Sequence, residues 1–313
     1  MIIKNTFLFT AVMLLLSLSA CKKNKNEPAP SDNYTSLANF YSVNGVPMQT
    51  YTVNGTTGGF FTTPQGTLVS IPANCFVTAG NNPATGTITI SFKDIYKKSD
   101  MLLSNIPTNF FNGAPLKSGG EFFIQAKCGD SSLQIVPGMK ISVTQPLKGQ
   151  DPDMKAMRFL NDSAVWFVSP SDTVINSPVG YVFNIYKRGP VNPDTAGSWC
   201  NSDNSNYFGS YTQTTLTMDN TLMIDNTPQP SEVFLIFSDI NSMVHVYYNA
   251  TSNTFPYRYA PIGLKCTAVA ISIYNGKLYS SFVPVTISNN LPVHFSMSET
   301  TSDEFKAQLN ALN

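Results

Sequence analysis

Charge is scarce in this chain. Lys and Arg number 19, Asp and Glu 19, and charged residues are 12% of the total, about half the share of an ordinary soluble domain. With no basic excess to neutralise phosphates, nucleic acid is disfavoured as a partner. Histidine is nearly missing, at 2 residues, and none of the 5 cysteines stands in a C-x-x-C pair, so neither zinc nor any other metal is expected. A G-x-S-x-G elbow, an H-E-x-x-H helix and a glycine-rich phosphate loop are all absent, which removes the common hydrolase and nucleotide-binding signals. The apolar stretch from Phe7 to Leu18 is shorter than the roughly 20 residues of a membrane-spanning helix. Disorder is ruled out by what is present: 42% of the 313 residues are hydrophobic and 12% aromatic, enough for two domains of about 100 to 150 residues.

The first twenty residues combine Lys4, the apolar stretch and a small-residue end at Ser19-Ala20, the three parts of a signal peptide expected over residues 1–20. Leu18-Ser19-Ala20-Cys21 resembles the bacterial lipobox. That resemblance implies lipidation of Cys21: diacylation of its sulfur, cleavage before it, and acylation of the freed amine by a chain such as palmitate. Two or three acyl chains, at about 0.8 kcal/mol per buried methylene, anchor a lipoprotein firmly to a membrane. Residues 21–38 begin with three lysines and carry Pro28 and Pro30 without apolar periodicity, and are expected to form a disordered tether. Lys22 is not the Asp associated with inner-membrane retention in enterobacteria, so the expected location is the outer membrane. The periplasmic face is favoured over the cell surface, because only Glu27 stands among the lysines.

Beyond the tether, 19 glycines and 21 prolines punctuate short runs of alternating polarity. Ile88, Ile90 and Phe92 share one face of a strand, and Ile141 and Val143 another. Tyr274-Asn275-Gly276-Lys277 is the strongest hairpin signal. Thr301-Ser302-Asp303-Glu304 has capping-box spacing ahead of Phe305, Leu309 and Leu312, which predicts a short C-terminal helix docked on the last sheet. The fold class expected is all-β: two antiparallel β-sandwich domains, the first over 39–148, a proline-rich junction over 149–190, and the second over 191–313 with the helix. Setting Cys21 aside, Cys75, Cys128, Cys200 and Cys266 are disulfide candidates in an oxidising compartment. Pairing within domains joins Cys75 to Cys128 and Cys200 to Cys266; the alternative is four separate buried thiols.

The first domain also carries a resemblance. Residues 66–76 (Gly66-Thr67-Leu68 through Ile71-Pro72-Ala73-Asn74-Cys75-Phe76), Gly86-Thr87-Ile88, Met101-Leu102-Leu103-Ser104 and Ser118-Gly119-Gly120-Glu121-Phe122 are similar to a recurrent pattern in envelope lipoproteins of the Bacteroidetes. Gly197-Ser198-Trp199-Cys200, Ala260-Pro261-Ile262-Gly263 and Asp303-Glu304-Phe305-Lys306 fit the same family. More distantly, the first domain resembles the sandwich of ankyrins and netrin receptors. The resemblance implies a fold and carries no activity.

Four further features invite chemistry. His294-Phe295-Ser296 resembles a tripeptide at which some relatives of that sandwich cut their own chain, but its alternating surroundings fit a strand with an outward histidine. Asn201, Asp203 and Ser205 could offer calcium oxygens, though without the glycine and closing glutamate of a helix-loop-helix site; a polar turn is expected instead. Trp199, Tyr207, Phe208 and Tyr211 could stack on a sugar but normally fill a core. Asp162-Ser163-Ala164, Asp172-Thr173-Val174 and Asp194-Thr195-Ala196 resemble the O-glycosylation sequon of the Bacteroidetes, making Ser163, Thr173 and Thr195 candidates. The expectation is a non-enzymatic, cofactor-free outer-membrane lipoprotein of the cell envelope, a binding or envelope-organising module whose ligand is unknown, with an envelope protein or a glycan as candidate partners. The alternative is a carbohydrate-active enzyme or glycan-binding component of a nutrient-uptake system.

Overall fold

A computed structural model describes residues 32–146, 151–160, 164–186, 198–219, 223–224, 227–289 and 291–313. Cys21, Ser163 and Thr195 lie outside them. The period-two runs form strands, and the strands form two antiparallel sandwiches followed by a short C-terminal helix.

In the first sandwich, one sheet has the order Gln49–Asn54, Thr87–Ile95, Lys117–Cys128, Ser198–Asn204, Lys155–Leu160, Val165–Val168, with Ser131–Ser132 beside Lys117–Cys128. The facing sheet runs Thr173–Ser177, Gly180–Tyr186, Lys140–Gln145, Leu68–Ile71, Gly59–Thr62. Ile88, Ile90, Phe92, Phe122, Val143 and Phe183 fill the core between them. The expected junction therefore resolves into four strands, two in each sheet of this sandwich. Pro170 and Pro178 sit between those strands as turn residues, not in a linker. Ser198–Asn204, expected to open the second domain, is inserted in the first sheet between Lys117–Cys128 and Lys155–Leu160.

The second sandwich pairs a sheet of order Met243–Val246, Ser231–Phe237, Lys265–Tyr274, Lys277–Thr286, Ser298–Thr300 with a smaller one of Thr254–Pro261, Gln213–Asp219 and Pro292–Val293. Only the Gln213–Asp219 to Pro292–Val293 pairing is parallel within these four sheets. The larger sheet is buried on both faces, which is why residues 233–237 are continuously apolar. Val233, Leu235 and Phe237 join the sandwich core; Phe234 and Ile236 join a second cluster with three helices. These are α1 (Leu37–Asn44), α2 (Lys98–Leu103) and α3 (Ser302–Asn310). Residues 32–313 thus form one compact unit.

Two local expectations hold in detail. Asn275 and Gly276 take φ of 49° and 80° in the hairpin where Tyr274 pairs with Lys277, the left-handed pair that a two-residue turn requires. In α3 the Thr301 hydroxyl accepts the Glu304 amide at 3.2 Å, while the Glu304 carboxylate accepts the Thr301 amide at 3.0 Å. Phe305 and Leu309 are fully buried.

The span expected as tether overlaps the folded unit. Ser36 caps α1, Tyr34 donates its amide to the Gly276 carbonyl at 2.9 Å, and the Asp32 carboxylate accepts the Ser302 amide. Tyr34, Leu37, Phe40 and Tyr41 recur at helical spacing and join the cluster over the larger sheet, so residues 32–38 are docked and not a tether.

Candidate functional site

A cleft of about 780 Å³ opens where the first sandwich meets the Ser238–Asn241 turn of the second. Its first wall rests on two glycines in the strand Lys117–Cys128. Gly120 has φ +120°, and a Cβ there would lie 2.4 Å from the Tyr96 ring; one on Gly119 would lie 2.9 Å from the Tyr181 ring. The Gly-Gly pair is therefore what lets both tyrosines close on the strand. Tyr96 is held by the Thr67 hydroxyl at 2.6 Å, and Thr67 in turn donates to the buried Asp94 carboxylate at 2.5 Å. Gln145 reaches across from the opposite sheet, donating to the Gly120 carbonyl and accepting from the Ser202 hydroxyl, both at 2.6 Å.

Charge in the cleft is largely committed. Lys117 pairs with Asp151 at 2.8 Å and sits 4.7 Å from the centre of the Tyr207 ring. Burial works to raise the Asp151 carboxyl, but hydrogen bonds from Lys117, the Asp153 amide and Asn204 prevail and hold it below its ordinary range. Asp151 is thus part of a fixed network and not a solvated loop acid. Lys98 donates to the Phe237 and Ser238 carbonyls at 2.6 and 3.0 Å, and burial lowers its ammonium, with Asp239 opposing. Lys97 and Asp239 are the exposed charges.

Behind the cleft lies a second polar group. Between Asn201 and Asp203 the partner strand advances from Glu121 to Ser118, three residues against two, so the extra residue of a β-bulge falls at Gly119-Gly120. Three residues apart in an unbroken strand, Ser118 and Glu121 would face opposite sides. The bulge brings them to one face with Asn201 and Asp203. There the Ser118 hydroxyl donates to Asn201 Oδ1 at 2.9 Å, and the Asn201 amide reaches Glu121 Oε1 at 3.5 Å. Glu121 and Asp203 are both 0% exposed. Glu121 Oε2 and both Asp203 oxygens have no hydrogen-bond partner. Burial, and for Glu121 also the Asp203 charge, drives both carboxyls well above the ordinary carboxylate range, with the Ser118 hydroxyl opposing at Asp203.

The remaining candidates fall elsewhere. Cys75, Cys128, Cys200 and Cys266 are thiols, with no disulfide among the described residues. The pairing of Cys200 with Cys266 fails because the two belong to different cores. Cys75 and Cys266 are pushed up to about 12 by burial, so they behave as small apolar side chains. Cys200 accepts from Arg158 Nη1 at 2.8 Å, and Arg158 Nε pairs with Asp172 at 2.5 Å. Asp172, the acid of the middle sequon, is therefore a buried counterion, while Thr173 opens an edge strand and is exposed. Phe208 is buried in the second core with Tyr207 and Tyr211 packed on it, and Trp199 packs edge-on against Phe123; the four aromatics form no common platform. His294 is exposed and pairs with Asp219, and the Ser296 amide is bonded to the Ser281 hydroxyl. Ser205 lies beyond the end of its strand, apart from Asn201 and Asp203 within it.

The motif Ser118-Gly119-Gly120-Glu121 was visible in the sequence, but its use was not, because a bulge exists only relative to a partner strand. Comparison with protein-family models, curated proteins and solved structures yields no match for this chain.

Proposed function

We propose that the chain is a non-enzymatic lipoprotein of the outer membrane, anchored by acylated Cys21 and presenting two fused sandwiches as a binding module of the cell envelope. The observation that carries this reading is Leu18-Ser19-Ala20-Cys21 directly after a short apolar stretch. Among the described residues no helix is long and apolar enough to cross a membrane, and the folded unit begins at Asp32, eleven residues after the cysteine.

A binding role is favoured over glycoside hydrolysis by the placement of the acids. Glycosidases need two carboxyl groups flanking a substrate bond. Here Glu121 and Asp203 are enclosed and do not line the cleft; of the two acids that do, Asp151 and Asp239, Asp151 is tied to Lys117, which leaves Asp239, among the described residues, as the one side-chain carboxylate free to act. With Lys117 and Asp151 paired, Lys98 spent on carbonyls, Lys97 and Asp239 opposite in sign, and the Tyr96 ring in its wall, the cleft suits a polar ligand of low net charge, such as a glycan segment.

The test is metabolic labelling of the native host with an alkyne fatty acid, followed by membrane fractionation. The wild-type chain should carry label and sediment with the outer membrane, and Cys21→Ala should lose both. An unlabelled, freely soluble wild-type protein would overturn the proposal.

A further inference from the structure

The buried oxygens behind the cleft have unspent bonding capacity. Glu121 Oε2, Asp203 Oδ1 and Asp203 Oδ2 are buried without a hydrogen bond of good geometry: the Ser118 hydroxyl, which works to lower the Asp203 carboxyl, is committed to Asn201, and a buried carboxylate left uncompensated is unfavourable. Two such groups side by side on neighbouring strands are a built feature, because a bulge with a positive-φ glycine is needed to place Glu121 beside them. Bulges of this kind re-aim side chains next to functional sites.

The geometry points to a cation: we propose that Ser118, Glu121, Asn201 and Asp203 form a calcium site set between the two central strands of the first sheet. Each residue brings a hard oxygen: two carboxylates, one amide carbonyl and one hydroxyl. That is calcium chemistry, since calcium accepts neutral oxygens and irregular geometry where magnesium demands a near-octahedral shell. Two negative charges balance the ion. Among the described residues no three His, Cys, Asp or Glu side chains gather to hold a metal; the set here reaches four ligands only by including Asn201 and Ser118. The set lies directly behind the cleft wall, because Ser118 and Gly119 also line the cleft. The site also sits at the seam of the molecule: Ser118 exchanges backbone and side-chain bonds with Asn241 of the second sandwich at 2.8 and 3.0 Å. An ion bound here fastens the bulge against that turn.

The experiment is thermal unfolding of the soluble chain from residue 22 onward, stripped with EDTA and then titrated with CaCl₂ or MgCl₂, alongside equilibrium dialysis against ⁴⁵Ca. Binding to the folded state alone raises the midpoint by mass action, on the order of 5 °C at calcium a hundredfold above its Kd. One calcium per chain should be retained in dialysis, and magnesium should act at least tenfold more weakly. Asp203→Asn and Glu121→Gln keep shape and fold, and each should abolish both retention and the calcium-dependent shift. A wild-type midpoint identical in EDTA and in millimolar calcium, with no ⁴⁵Ca retained, refutes the site and leaves a shared proton on the pair. An undiminished shift in both variants places the ion elsewhere and refutes it equally.

Discussion

Gly120 and Tyr96 are in van der Waals contact so close that no side chain fits between them: a Cβ on the glycine would stand 2.4 Å from two ring carbons. The backbone at Gly120 is also in a region that other residues enter only at a cost of about 1–3 kcal/mol. Gly120→Ala should combine that strain with overpacking, for a loss of about 3 kcal/mol in urea unfolding. Gly86, with positive φ and nothing near its Cβ position, is the control, and its alanine variant should lose only the conformational part, about 1 kcal/mol.

The pair Arg158–Asp172 is buried on both sides, at 5% and 0% side-chain exposure, and the Ser169 hydroxyl and the Tyr186 amide also point at Asp172. Removing one member strands the other. Asp172→Asn should cost about 3–5 kcal/mol, read as a lower midpoint in thermal unfolding, and a change below 1 kcal/mol would show that the pair is dispensable.

Thr173 separates modification from folding. The residue is exposed and its hydroxyl accepts a long bond from Asn184, at 3.3 Å, so Thr173→Val should alter stability by about 0.5 kcal/mol or less. In protein from the native host the same change should remove one glycan increment from the intact mass. A wild-type mass equal to the bare acylated chain would eliminate glycosylation at this position.

Helix α3 is held by its buried face more than by its cap. Phe305 is fully buried, with ring centres 5.7 Å from Phe40 and 5.4 Å from Phe282. Phe305→Ala should cost about 3–5 kcal/mol and Thr301→Ala about 1 kcal/mol, both measured by chemical denaturation. The reverse ranking would mean that the helix is marginal to the core.

The carboxyl pair makes a signed statement about pH. Glu121 and Asp203 have folded-state pKa values raised above their unfolded ones, so in EDTA the folded chain holds more protons than the unfolded chain. The pair's contribution is complete below the ordinary carboxylate range and is lost as pH rises, at up to about 1.4 kcal/mol per pH unit for each group. His245, lowered to about 4 by burial, acts oppositely: its contribution is present above about 6.5 and fades as pH falls toward 4. Above about 6.5, where His245 no longer contributes, the carboxyls work to make metal-free stability fall as pH rises. Glu121→Gln should flatten that slope, and an identical slope in the variant would contradict the assignment.

Local signals were legible where one stretch of chain decides the outcome. The Asn275-Gly276 turn and the Thr301–Glu304 box depend on neighbours within a few residues, and both are formed as read. The C-terminal helix followed from its capping box and apolar spacing, and the two-sandwich architecture from chain length, alternating runs and turn residues. Strand order did not, because Ser198–Asn204 finds its partners 74 to 87 residues upstream in one neighbour and 42 to 48 in the other, and nothing local distinguishes the first sheet from a later one. The prolines of 149–190 misled for a related reason: proline ends a strand and ends a domain with the same local chemistry. At the site, Asn201 and Asp203 were visible as alternating oxygens. Glu121 was not, since its relevance depends on an extra residue that appears only when two distant strands are laid side by side. Helix α1 was missed because its apolar positions are spread among polar residues and find their burial against strands more than 180 residues away.

The docking of residues 32–34 decides how the molecule would carry mechanical load. A pull applied at the amino end does not enter the first sandwich, which is nearest in sequence. It passes from Asp32 into the first turn of α3 and from Tyr34 into the Asn275–Gly276 hairpin, so tension at one terminus is borne by the segment closest to the other. The last forty residues act as the buckle of the strap.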